Sequence, residues 1–174
     1  AMGNEARELN ALVSNLLDMA RLESGTIHLR KDWHSVEELV GGAIRSARHA
    51  LKSLTVKTEV PADFPLVEFD ATLMERVLVN LLENAAKYGV AAVGHSPAIV
   101  VSARTTGSSL EIVVRDFGPG LPASSKGREY TLFDKFTRGQ TESTKRGVGL
   151  GLAICKAIVE AHRGQILATN SEDG

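Results

Sequence analysis

The stretch Asn80-Leu-Leu-Glu-Asn84-Ala-Ala-Lys87-Tyr88 puts two different chemistries on opposite sides of one helix. At about 100° per residue, Arg76, Asn80, Glu83, Asn84 and Lys87 fall within one polar sector. Leu78, Leu81, Leu82 and Ala85 form the opposite, core-facing side. A solvated face would account for the charges but not for two asparagines four apart. Asparagine is a poor interior helix former, and Glu, Lys or Gln would serve better in water. Its side-chain carbonyl is a hard oxygen donor, able to hold Mg²⁺ while leaving positions for water and phosphate oxygens. Lys87, one turn beyond Asn84, can bring a point charge to the same phosphates.

Asp70 is the expected N-cap of this helix, which runs through about Lys87, and Pro61 and Pro65 break the chain before it. Further upstream, Leu54–Val60 alternates as a strand. A helix is expected from Ser35, an N-cap followed by Glu37 and Glu38, to about Ser53. Ile27–Trp33 reads as a short strand or extended linker. Residues 5–24 carry an apolar stripe (Leu9, Leu12, Val13, Leu16, Met19, Ala20) closed by Gly25. That helix can pack on its own domain or pair with another helix, including one from a second copy. Downstream, Ala98–Arg104 and Ser109–Arg115 form a hairpin through Thr105-Thr-Gly107-Ser108. Residues 117–147 are polar and glycine-dotted, too long for an ordinary connector, and suit a functional lid. A last helix runs from around Gly149 to about His162, and Gln165–Thr169 is a final short strand. Helices interleaved with hairpin-connected strands imply an α/β fold, a mixed sheet covered on one face by helices.

Composition narrows the class. With 174 residues the chain holds one main domain with an appendage. A domain of roughly 150 residues buries about 70% of its unfolded surface, enough for a core without staples. A net charge of −1 offers no basic field for nucleic acid. The single cysteine, Cys155, has no internal disulfide partner and lies in the apolar Leu152-Ala-Ile-Cys155-Lys-Ala-Ile-Val, as a buried, inert thiol would. No apolar run reaches the ~20 residues of a membrane span, so a cytoplasmic, soluble polypeptide is expected. Ala1-Met2-Gly3 resembles a cloning scar, which makes the chain a fragment of a longer protein that can itself be membrane-anchored.

Three further segments carry chemistry. Asp116 ends the apolar strand Leu110-Glu-Ile-Val-Val-Arg-Asp116, where a carboxylate can accept a hydrogen bond from the exocyclic amine of adenine. Gly118 and Gly120 would let the backbone turn close to a base, although, taken alone, an ordinary strand-ending Asp-Gly turn explains the string better. Gly147-Val-Gly149-Leu150-Gly151-Leu opens an apolar helix whose N–H groups and dipole suit an anion. It lacks the Gly-Lys-Ser/Thr of a Walker A loop, and a long polar segment precedes it where a Rossmann fingerprint needs a strand. Lys135, Arg138, Lys145 and Arg146 gather just upstream and can close over phosphates. Asp116-Phe117-Gly118 also spells the metal-binding tripeptide of eukaryotic-type protein kinases, but no His-Arg-Asp loop or Val-Ala-Ile-Lys strand accompanies it. The scattered histidines at 28, 34, 49, 95 and 162 form no zinc set with one cysteine. Magnesium ligands, a base-reading carboxylate, flexible turns and backbone donors together are what an ATP site requires.

In this order the Asn80–Tyr88 segment, Asp116–Gly120, Phe133-Asp-Lys-Phe136 and Gly147–Leu152 resemble the N, G1, F and G2 boxes of sensor histidine kinases. These belong to the superfamily that also includes gyrase-type, chaperone and mismatch-repair ATPases. The resemblance covers roughly residues 35–170 and implies a Bergerat α/β sandwich, in which a mixed sheet carries three helices and ATP lies under a mobile lid. It implies Mg²⁺-site roles for Asn84 and Asn80 and phosphate-side contacts for Lys87 and Tyr88. Asp116 becomes the adenine reader. Gly118, Gly120, Gly147, Gly149 and Gly151, with Leu150 among them, become hinges and phosphate donors. Phe133 and Phe136 become lid anchors, as exposed loop aromatics could be, with Lys135 and Arg138 beside the nucleotide.

Leu16-Leu-Asp-Met-Ala-Arg-Leu-Glu-Ser-Gly25 is similar to the end of the family's dimerisation and phosphoacceptor hairpin. This divides the chain into hairpin helix (1–25), linker (26–34) and catalytic domain (35–174). Within the family, this segment, Lys31-Asp-Trp33 and Phe133-Asp-Lys-Phe-Thr-Arg-Gly139 are most similar to the potassium-responsive osmosensor kinases. The family's partners would be ATP, the phosphoacceptor histidine helix and a response regulator, with homodimerisation through residues 5–24. No histidine stands in a phosphoacceptor context, and the family's last strand is missing. Arg163 also replaces the first glycine of the usual His-Gly-Gly turn. Hydrolysing relatives place a glutamate where Asn80 stands. An amide is no general base, which favours transfer to histidine over a stand-alone ATPase or serine kinase. Glu83, on the same face, is the remaining candidate to orient or deprotonate the acceptor imidazole. A non-catalytic helical interaction module would instead predict dimers and no nucleotide affinity.

Overall fold

The computed structural model describes residues 28–52, 54–89, 96, 98–121, 133 and 151–170. The chain divides into two compact units, Arg30–Lys126 with Thr169–Gly174, and Ala1–Leu29 with Gly127–Ala168. In the first unit the elements are β1 (Asp32–His34), α1 (Val36–Ser46), α2 (Arg48–Leu51), β2 (Val56–Glu59), β3 (Val67–Phe69), α3 (Ala71–Tyr88), β4 (Ile99–Thr106) and β5 (Ser109–Asp116). The second contains α4 (Gly151–Ala161). The N-terminal helix expected over residues 5–24 lies outside the described residues.

The main sheet has the order β2-β4-β5, with β2 parallel and β5 antiparallel to β4, so it is mixed as expected. Side chains alternate across a pleat. Ile99, Val101 and Ala103 of β4 therefore share a face with their register partners Asp116, Val114 and Ile112 of β5. This face joins one core with Val36, Leu39, Val40 and Ala43 of α1 and Leu78, Leu82 and Ala85 of α3. The same pleat puts Asp116 on the helix-covered side of the sheet. Leu81, expected in the core, is only half-buried and outside the cluster, while Val77 is buried.

Local chemistry sets most element ends. Ser35 Oγ accepts the Glu38 N–H at 3.3 Å, with Glu37 and Glu38 in the first turn of α1. The single helix expected to reach Ser53 is broken at Ala47, after which the four-residue α2 runs only to Leu51. Ala47 and Leu51 are both buried in the core, so packing overrides local propensity at the break. β3 was not expected. It pairs antiparallel with β1, Asp32 opposite Phe69 and His34 opposite Val67, and its three residues are too few to show a period. The β4–β5 hairpin turns through Gly107-Ser108, with Gly107 at φ +61, a left-handed value that glycine accommodates. Arg104 and Glu111, directly opposite in register, form an exposed ion pair of 2.8 Å.

α4 buries Ala153, Ile154, Cys155 and Ile158, which accounts for the inert cysteine. It ends in a Schellman arrangement, Gly164 N–H to Val159 C=O at 2.9 Å and Arg163 N–H to Glu160 C=O at 2.8 Å. Arg163 holds the left-handed position at φ +62, where glycine is usual. The strand expected at Gln165–Thr169 does not form. Ile166 and Ala168 are half-buried and Leu167 is exposed, so the in–out alternation is present. No ladder to a neighbouring strand exists among the described residues, and alternation without a partner edge makes no strand.

Candidate functional site

Asp70 fixes the start of α3. Its buried carboxylate accepts the Leu73 N–H at 3.1 Å as N-cap and the Arg30 N–H at 2.9 Å from the chain entering β1. The helix then runs uninterrupted for 18 residues to Tyr88, carrying every polar residue expected of it.

Along that helix the polar sector is not self-satisfied. The Asn80 side-chain Nδ2 is buried and has no hydrogen-bond partner among the described residues. Buried amides in folded proteins are nearly always bonded, so this position can take a polar ligand. Because the two ends of an asparagine amide exchange by a flip, the same position can present the carbonyl oxygen that a hard cation takes. Glu83 has an accessible surface, yet burial of its carboxyl pushes it above the ordinary value of 4.5. Asn84 is half-buried. Lys87 Nζ lies 4.8 Å from the centroid of the Tyr88 ring, a cation–π contact that holds the ammonium in place.

The helix ends against β5. Gly89 donates to Ala85 C=O at 2.8 Å, and a Cβ built on it would lie 2.4 Å from both Cβ and Cγ of Asp116. Gly89 has φ −83, which any residue adopts, so space and not conformation calls for glycine here. A Cβ on Gly118 would in turn lie 2.7 Å from the Gly89 Cα. The last turn of α3, Gly118 and the Asp116 carboxylate thus form one close-packed corner. Within it Asp116 Oδ1 accepts the Gly118 N–H at 2.9 Å, fixing the carboxylate. Among the described residues Oδ2 makes no hydrogen bond. A carboxylate pinned by one oxygen, with the other open, can accept from an exocyclic amine. Arg115, on the opposite face of β5, stacks over Phe117 at 4.9 Å.

Beyond the corner, Gly120 sits at φ +72, and the Asn170 side chain is bonded to the backbone of Leu121. Sequence reasoning singled out neither Gly89 nor Asn170. A glycine after a helix was a visible signal for the first, but a contact spanning 49 positions leaves no trace in local pattern. Phe133, expected as an exposed lid anchor, is buried at 4% exposure, as a large apolar ring favours. Gly151 is the first residue of α4. Lys135, Phe136, Arg138, Lys145, Arg146, Gly147, Gly149 and Leu150 lie outside the described residues. Among the described residues no group of three His, Cys, Asp or Glu gathers as a metal set, so a cation here would rely on amide oxygens.

Residues 69–174 match the family described as histidine kinase-, DNA gyrase B-, and HSP90-like ATPase. The sensor protein KdpD of Escherichia coli (strain K12) is 48% identical over 163 residues, which is 94% of this chain but 17% of KdpD. The chain therefore spans about a sixth of that relative's length. Among solved structures, Acinetobacter baumannii histidine kinase AdeS superposes with TM-score 0.74 at 24% identity, over 98% of this chain and 76% of AdeS. Full-length ShkA in complex with AMPPNP gives TM-score 0.75 at 23% identity, over 95% of this chain and 35% of ShkA. At such identities the superpositions establish the fold, a mixed α/β fold shared with histidine kinases.

Proposed function

Because the chain belongs to the histidine kinase-, DNA gyrase B- and HSP90-like ATPase family, we propose that it is the ATP-binding catalytic domain of a two-component sensor histidine kinase. The observation that carries this reading is the corner where Asp116, pinned through Oδ1 by the Gly118 amide, meets the end of the helix bearing Asn80. The AMPPNP in the ShkA complex is a nucleotide of the class this corner fits. The 48% identity with sensor protein KdpD supports placement in that branch, the potassium-responsive osmosensor kinases.

Asp116 Oδ2 accepts from the adenine amine, and the Gly118 backbone lies close enough for the base edge to approach. The Asn80 and Asn84 carbonyls would hold Mg²⁺, which when bound neutralises phosphate charge. The buried, unpartnered amide of Asn80 fits that duty. Lys87, held over Tyr88, supplies positive charge on the phosphate side. Phosphoryl transfer asks chiefly for such positioning and charge compensation. Asn80 cannot deprotonate water, which disfavours hydrolysis and leaves a histidine of the intact kinase as acceptor, with a response regulator next in line. Glu83, whose carboxyl is pushed upward by burial, would orient or deprotonate the incoming imidazole. An intact kinase carrying Glu83→Ala should lose most autophosphorylation; full activity would remove that role.

Calorimetric titration with ATP and GTP, with and without Mg²⁺, on this chain and on Asp116→Asn tests the reading. ATP-selective, Mg²⁺-strengthened binding that is lost in Asp116→Asn is the expected outcome. A folded wild-type chain without ATP affinity would overturn it, and appreciable ATP turnover would point to a hydrolase of the same superfamily.

A further inference from the structure

We propose that Asn170 is a positioning residue for the nucleotide corner, acting as a side-chain clamp on the backbone at Leu121. Its Oδ1 accepts the Leu121 N–H at 2.7 Å and its Nδ2 donates to the Leu121 C=O at 3.0 Å. One amide side chain thus satisfies both backbone groups of a single residue, as a neighbouring strand would, where no strand pairs among the described residues. The gripped residue follows Gly120 directly, and Gly120 stands at φ +72. A Cβ on Gly120 would lie 2.9 Å from Asn170 Oδ1, so glycine is required there both by backbone conformation and by the closeness of the clamp. Gly118, whose amide pins Asp116 Oδ1, is three residues before Leu121. The turn from Asp116 to Leu121 is therefore fastened at both ends, to α3 by the Gly89 contact and to Asn170 by two hydrogen bonds.

Asn170 is exposed, and so are both of its bonds to Leu121. Exposed bonds contribute little to global stability. Their effect falls on the local freedom of the turn, and a loosened turn must be re-ordered whenever a ligand uses Gly118 and Asp116. Asn170→Asp keeps an acceptor for the Leu121 amide but sets a carboxylate against the Leu121 carbonyl. It should behave like Asn170→Ala at neutral pH.

This inference rests on the proposed ATP site. The experiment measures ATP affinity by calorimetry, melting temperature without nucleotide, and hydrogen exchange of the Leu121 amide, on the 174-residue chain, Asn170→Ala and Asn170→Asp. Each lost bond is worth roughly a few-fold, so both variants should raise the ATP dissociation constant about 5- to 20-fold. Their melting temperatures should stay near wild type, and Leu121 exchange should quicken. If the folded variants bind ATP like wild type, or if the affinity loss tracks a matching fall in melting temperature, the clamp is only structural and the inference fails. If the wild-type chain binds no ATP while Leu121 exchange still depends on Asn170, the proposed function has failed and the clamp has not.

Discussion

At its N-terminal end α3 is held by Asp70, a buried carboxylate that receives two backbone amides, whereas in its second half the buried Asn80 Nδ2 has no partner among the described residues. The first half behaves as protein interiors usually do, with polar groups satisfied and a cap that fixes the helix start. The second half departs from that rule and closes on Asp116 through a glycine with no room for a side chain. Under the proposed function, stability and ligand recognition are separated along a single helix. Departures of this kind collect where a ligand completes the structure.

The largest expected effect lies on the ligand half. Asp116→Asn exchanges an ionised acceptor for an amide, and loss of a charge-assisted bond should weaken ATP binding by about 10- to 100-fold. Urea unfolding without nucleotide should show little change. Asp70→Ala is the mirror experiment. Two backbone amides lose their acceptor, for about 2 kcal/mol of stability by urea unfolding. ATP affinity of the folded fraction should stay within about twofold. An affinity loss as large as that of Asp116→Asn would break the separation of the two halves.

Asn80→Leu sharpens the contrast, because it removes the unpartnered amide and keeps the shape. The unliganded chain should gain about 1 kcal/mol in urea unfolding. The Mg²⁺-dependent part of ATP binding should disappear. A third helix end supplies a smaller effect of opposite sign. Arg163→Gly relieves a left-handed non-glycine residue at the close of α4 and should stabilise by about 1 kcal/mol, read as a higher melting temperature.

The smallest effect concerns Glu83. Its folded carboxyl is pushed above 4.5, so the folded state holds the proton more tightly than the unfolded chain does. Its contribution is therefore fully favourable below about pH 4.5 and is lost as pH rises through the raised value. Glu83→Gln should match wild type in melting temperature near pH 4 and exceed it slightly at pH 7. The reverse ordering would show the carboxylate to be stabilised where it lies.

How much was legible in the sequence follows from the range of each interaction. Ser35 and Asp70 were readable as caps because a cap bonds three residues ahead. The β4–β5 hairpin was readable because its turn lies within it. β3 was not, since three residues beside Pro65 carry no period and their pairing is with β1, far upstream. The break at Ala47 was hidden because its cause is burial against distant elements. Of the candidate site residues, Asn80, Glu83, Asn84, Lys87 and Asp116 were proposed from residue type and spacing, and the structure places the first four on α3 and the last at the end of β5. Gly89 was visible as a glycine after a helix but not its close approach to Asp116, and the partner of Asn170, 49 positions away, left no local sign. The burial of Phe133 was not legible for a related reason: a polar neighbourhood in sequence says little about what surrounds one ring in space.

The parallel pairing of β2 with β4 also bears on how the chain folds. Val56 lies opposite Ile99, so these strands meet only after the intervening segment has crossed over, and α3 lies within that crossover. The β4–β5 hairpin can close locally on a microsecond timescale. Addition of β2 is the slow, high-contact-order event. Substitutions that weaken α3 should therefore delay closure of the sheet as well as loosen the finished domain. The helix that carries the candidate ligand-binding amides thus also lies in the crossover that closes the sheet.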